Sequence, residues 1–209
     1  MTISTGCEPQ PRPTRDQRRD AILAIAHEVF LEHGFERASM SQVAAQLGGS
    51  KGTLYSYFDS KEALFEALVT DSCGKNGQAI FDAPPGLPMT ERLMRIARAH
   101  IRLVTSDWAI RMMQVVAAEA RRRPEIGRIF YDAGPGQGVT RLSHQLDEYV
   151  AAGELATDDT RAAAETFMSL CRGHYHLQRM LGQLDTPTPE VIEREASRAV
   201  ALFLALYRA

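Results

Sequence analysis

Cys171, His174 and His176 form the grouping in this 209-residue sequence whose side chains could ligate a metal. On a helix Cys171 and His174 lie about 300° apart and are neighbours, whereas His174 and His176 lie about 200° apart and face opposite ways. One ion cannot hold all three, so neither a metal nor a cofactor is expected. No nucleophile stands beside a base that could activate it, so no catalytic residue is assigned and no enzyme is expected. The run Gly134-Pro135-Gly136-Gln137-Gly138 has the glycine content of a phosphate loop, but no strand precedes it and no Lys-Ser/Thr pair follows. It is read as a helix break.

What remains is binding chemistry. His100 falls among Leu93, Ile96, Ala97 and Val104, Glu119 follows Trp108, Met112 and Val115, and His174 falls among Phe167, Leu170, Cys171, Leu177 and Leu181. Polar groups on apolar stripes either pair inside the core or serve as the few polar fixtures of an apolar pocket. On the second reading His100, Trp108, Met112, Glu119, Phe167, Cys171 and His174 line a site for a small, mainly apolar molecule. Its hydrogen-bonding or cationic end would meet Glu119.

A second chemistry lies between Ser39 and Lys61. Ser39 followed by Gln42 opens a capping box, and Met40, Val43, Ala44 and Leu47 recur at helical spacing. The pair Gly48-Gly49 ends that helix, because glycine turns left-handed without a Cβ clash, and Ser50 caps the next. Two short helices joined by a tight turn make a helix-turn-helix. Leu54 and Phe58 anchor the second one, leaving Lys51, Thr53, Tyr55 and Tyr57 free, with backbone N–H groups at its start and Gly52 for close approach. These groups could meet a phosphate; the alternative is an amphipathic helix hairpin whose tyrosines pack at its edges.

The run Ser-Lys-Gly-Thr-Leu-Tyr, then Tyr57-Phe58 and Ser60-Lys61-Glu62, preceded by a helix ending His33-Gly34-Phe35, resembles the DNA-binding domain of TetR-family transcriptional regulators. The resemblance spans about Arg15 to Val69. A weaker one covers Met113 to Gly182, where Ala118-Glu119-Ala120, Pro124-Glu125, Phe130-Tyr131 and Ala133-Gly134-Pro135 look like the AefR-like type of C-terminal domain. The first resemblance implies a three-helix DNA-reading head, an all-helical ligand-binding body and a homodimer, with Ser39, Ser50, Lys51, Gly52, Thr53, Tyr55, Tyr57 and Lys61 as the candidate contacts to double-stranded DNA; the two-fold symmetry of a dimer then predicts a palindromic operator. Gly49 stands where such turns usually carry valine, which loosens the turn's packing more than its DNA contacts.

The formal net charge is −2, and residues 1–70 hold seven cations against nine acids. Between Arg37 and Lys61, however, three cations meet only Asp59. Affinity for DNA would thus come from few phosphate contacts plus backbone donors. Cys7, Cys73 and Cys171 make neither a disulfide framework nor a zinc spacing. No apolar run is long enough to span a bilayer and no leader is evident, so a cytoplasmic protein with no membrane partner is expected.

The elements that must position these residues are all helices. Residues 1–14, with Pro9, Pro11 and Pro13, are read as a disordered arm, and Arg12, Arg15, Arg18 and Arg19 as groove-seeking or merely solvated charges. Residues 15–60 form the head and 61–209 the ligand-binding and dimerisation body. Helices are expected from Asp16 to His33, from Ser60 onward with a weak end at Gly74 to Gly77, and after the linker Pro84-Pro85-Gly86-Leu87-Pro88. Thr90 would cap the next, Thr105 or Ser106 another, Pro124 would open a short one, and Val139 to Val150 would stripe the one ending near Gly153. Asp158 or Asp159, then Thr188, would start the last two. The fold class is all-α with about nine helices. Val200, Leu202, Phe203, Leu204 and Tyr207 coat the final helix on every side, so it would pair with a second copy, Ser169 and Gly173 letting the helices approach. The function expected is a ligand-released repressor. The alternative is an effector-independent activator or architectural DNA binder.

Overall fold

The computed structural model describes residues 14–81, 84 and 86–209. The arm up to Pro13, with Cys7 and Arg12, lies outside these, as do residues 82, 83 and 85. Ten helices follow one another: α1 (Arg15–Arg37), α2 (Met40–Leu47), α3 (Lys51–Tyr55), α4 (Lys61–Phe81), α5 (Met89–Val104), α6 (Asp107–Ala120), α7 (Pro124–Ala133), α8 (Pro135–Ala151), α9 (Thr160–Met180) and α10 (Pro189–Tyr207). The isolated bridge between Leu155 and Arg208 is the only β pairing among the described residues. None of these helices is long and apolar enough to cross a membrane.

Local chemistry sets most ends. Thr14 and Gln17 open α1 with a reciprocal capping box, and Gly34 (φ 71°, ψ 171°) breaks it after His33. The break turns Phe35 back onto Phe30 and Phe65, with ring centroids 5.7 and 5.2 Å away. Ser39 caps α2 by accepting from the Gln42 amide, but Gln42 Oε1 accepts from the Ser39 hydroxyl instead of its backbone N–H, so the expected box is half formed. Ser106, Asp159 and Thr188 cap α6, α9 and α10.

Four expectations are corrected. Thr90 is no cap, since α5 begins at Met89 after Pro88 with no side-chain bond. Helix α4 runs unbroken through Gly74 and Gly77 to Phe81. Helix α8 starts at Pro135, because proline suits a first turn and the glycines after it permit contact with α7: a Cβ on Gly136 would stand 3.0 Å from the Tyr131 carbonyl. Helix α9 is kinked at Gly173 (φ 52°, ψ −163°), backbone that glycine alone adopts readily. The residues after the kink do not continue the stripe before it, so Leu177 and Leu181 are exposed.

Two hydrophobic cores result. One gathers α1 to α3 with Leu64, Phe65, Leu68 and Val69 of α4, and also Met112 and Val116 of α6 and Ile126 and Phe130 of α7. The other is built from α5, α8, α9 and α10 around Leu93, Ile96, Leu146, Phe167 and Phe203. Helices α6 and α7 thus belong to the core that supports the head.

Candidate functional site

The first site is the outer face of α2 and α3. Gly48 takes the left-handed conformation (φ 67°) that turns the chain, and Ser50 Oγ accepts from the Thr53 amide at 3.2 Å, fixing the start of α3. Leu54 is fully buried and Phe58 nearly so, pinning this single turn from below. Ser50, Lys51, Gly52 and Tyr55 are exposed, Thr53 and Tyr57 half-buried. The Arg15 guanidinium lies 5.7 Å from the centre of the Tyr57 ring, which places the start of α1 beside this face. Ser39 is half-buried, its hydroxyl engaged with Gln42.

Lys61 departs from the expected set. Its Nζ donates to the carbonyls of Phe35, Glu36 and Ala38 at 2.7, 3.1 and 3.1 Å and lies 4.6 Å from the centre of the Phe35 ring. An ammonium has three donors. All three close off the carbonyls that the Gly34 break leaves open, so Lys61 is a staple of the head and has no donor left for a phosphate.

The second site is a partly open cavity of about 340 Å³ bounded by α4 to α9. Trp108, Met113, Phe130, Tyr131, Val139 and Met168 give its apolar wall, and His100, Arg141, Glu165, Arg172 and His176 its polar one. Trp108, Met113 and Phe130 belong to or pack on the head-side core, Val139 and Met168 to the other. The cavity therefore lies where the two cores meet. His100 Nε2 is buried without a hydrogen-bond partner among the described residues. Burial, followed by the charges of Arg172 and His176, pushes the His100 pKa down to about 3. Burial and Arg172 also lower that of His176. Burial pushes the Cys73 thiol on the same wall up to about 11.

Of the residues expected here, His100 and Trp108 line the cavity. The other five do not. Met112 is fully buried in the head-side core, and Phe167 and Cys171 lie in the body core, where burial pushes the Cys171 thiol up to about 12. The stripe that packs helix on helix is not the wall beside it, and one residue along a helix turns the side chain about 100°. Met113 and Met168 therefore stand where Met112 and Phe167 were expected. His174, beyond the Gly173 kink, is exposed in a shallow groove with Arg198 and Leu202, and His176 turns to the cavity instead. Glu119 is buried away from the cavity, with Oε2 lacking a partner among the described residues. The polar wall therefore carries Arg141 and Arg172 with Glu165, and not the expected Glu119.

The cavity is tied to the head through α6 and α7. Trp108 stacks on His27 of α1 with ring centroids 6.4 Å apart. Arg123, between α6 and α7, bridges Glu36 and Glu62, each at 3.3 Å, and its guanidinium lies 5.5 Å from the centre of the Phe35 ring. Elements that line the cavity or adjoin its wall thus touch both α1 and the start of α4 directly.

Comparison with known proteins agrees with this layout. Residues 22–68 match the model of bacterial regulatory proteins of the tetR family, and residues 91–209 that of the AefR-like transcriptional repressor C-terminal domain. The chain is 25% identical over 184 residues to the nucleoid occlusion factor SlmA of Pasteurella multocida, covering 80% of this chain and 85% of that one. It is 45% identical to the HTH-type transcriptional regulator UidR of Escherichia coli, over only 62 residues and 29% of that protein. Among solved structures, the flavonoid-responsive regulator FrrA is 35% identical with a TM-score of 0.79, covering 92% of this chain and 98% of its own. A regulator from Pseudomonas syringae shares the fold at 24% identity and a TM-score of 0.75 over 93% and 99% of the two chains.

Proposed function

Because the chain belongs to the TetR family of transcriptional regulators, we propose that it is a ligand-responsive repressor that binds a palindromic operator as a homodimer and leaves it when a small, mainly apolar effector fills the cavity. The observation carrying this reading is the position of the cavity, whose wall is shared between the head-side core and the body core. An occupant that packs differently in two arrangements of α6 and α7 biases the head between them by its differential affinity. The similarity to a regulator named flavonoid-responsive makes small aromatic molecules the first class to screen. The similarity to a protein named a nucleoid occlusion factor keeps the architectural DNA binder as the second reading, and the cavity is what favours the first.

On the DNA side, Lys51, Gly52, Thr53 and Tyr55 of α3 would enter the major groove, with the caps at Ser39 and Ser50 and the ring of Tyr57 toward the flanking phosphates. DNA fragments retained by the purified protein would supply the operator. Lys51→Ala is then expected to weaken retention on all sequences and to lower the salt slope by about one. Lys61→Met is expected to leave that slope unchanged while losing about 1.5–3 kcal/mol of stability, as three carbonyls lose a charged donor. A salt slope that responds to Lys61 and ignores Lys51 would reject the assignment.

A further inference from the structure

Resting on the effector reading above, we propose that the cavity selects a planar aromatic molecule carrying a weakly acidic hydroxyl, whose oxygen meets His100 with Arg172 and His176 beside it. Three observations converge. First, His100 lines the cavity as a half-buried side chain whose Nε2 has no partner among the described residues and no exposed surface, so that nitrogen is left unsatisfied and a ligand would reach it by a small turn of the ring. A bound hydroxyl repairs this in either imidazole tautomer, since it both donates and accepts.

Second, the charged groups on the wall are Arg141 from α8, Arg172 and Glu165 from α9, with His176 also on α9. Glu165 is paired with Arg161 at 3.4 Å, so the guanidiniums set the sign of the potential. An ammonium would be repelled there, and an oxygen that carries partial negative charge would be held. A phenol-type hydroxyl loses little hydration on entering and gains from the nearby arginines. Third, Trp108, Phe130 and Tyr131 face the same space as Met113 and Met168, a lining that takes up flat rings and adapts to their edges.

Trp108 is the only tryptophan in the chain, so its emission reports cavity occupancy without DNA. Titration with para-phenylphenol, biphenyl and para-phenylbenzylamine holds the rings constant and changes the polar end. The wild type is expected to bind the phenol about tenfold tighter than biphenyl, the size of one added hydrogen bond with charge assistance, and the amine weakest. His100→Leu is expected to remove the preference for the phenol, and Arg172→Gln, at an exposed position, to reduce it several-fold should the first variant not fold. Equal affinity for phenol and biphenyl in the wild type, or a preference untouched in both variants, overturns the proposal while leaving an effector cavity standing. If no probe alters Trp108 emission although the protein retards DNA, the effector reading falls with it.

Discussion

Burial keeps His100 neutral in the fold down to about pH 3, whereas an unfolded histidine takes up its proton near 6.5. Its contribution to stability is therefore whole above about pH 6.5 and is lost as the pH falls toward 3, because only the unfolded chain gains a proton in that window. Between about pH 8 and pH 5 the loss is expected to be about 2 kcal/mol by urea unfolding, with His176 acting in the same direction. His100→Leu should flatten much of that slope. A wild-type stability that rises on acidification to pH 5 would contradict the buried neutral imidazole. His100 was legible in the sequence as a polar residue inside an apolar stripe. Met112, Phe167 and Cys171 were misplaced because a stripe shows which residues are buried without showing whether they meet another helix or a void. Lys61 was misread for a related reason: its partners are carbonyls 23 to 26 residues away, exposed by a break whose geometry the sequence does not display.

Helix ends were the most legible feature, since caps act within three residues. Ser39, Ser50, Ser106, Asp159 and Thr188 each bond the amide that their spacing predicts. The start of α8 and the kink in α9 were not legible, because contacts between helices decide them. Glycines at these joints differ in what they tolerate. A Cβ on Gly49 would meet nothing nearer than Leu47 Cδ2 at 3.7 Å, and its φ is not positive. Gly49→Ala should therefore stabilise the head by about 0.4–1 kcal/mol, chiefly by restricting the unfolded chain. Gly173→Ala should cost about 1–3 kcal/mol, although a Cβ there meets no atom within 4 Å, because the backbone itself is strained for any side chain. Thermal unfolding of the two variants should shift in opposite directions. A Gly173→Ala protein as stable as the wild type would mean that α9 straightens at no cost.

At the scale of the molecule, α10 does not bury all its apolar residues within one chain. Leu206 is 65% exposed and Leu202 44%, while Leu204 packs against the body core. A second copy covering the first two is the homodimer of the proposed function. Leu206→Glu is expected to give monomers in sedimentation with the fold intact, whereas Leu204→Glu should damage the fold first. Dimers of wild-type strength in Leu206→Glu would move the interface off α10. The division into two cores has a consequence for anyone who would transplant this head onto a foreign sensor. A graft cut at residue 60 would come away without Leu64, Phe65, Met112, Val116, Ile126 and Phe130, which fill the underside of its own core. The portable unit is discontinuous along the chain: α1 to the first half of α4, joined to α6 and α7, with the remaining helices as the exchangeable part.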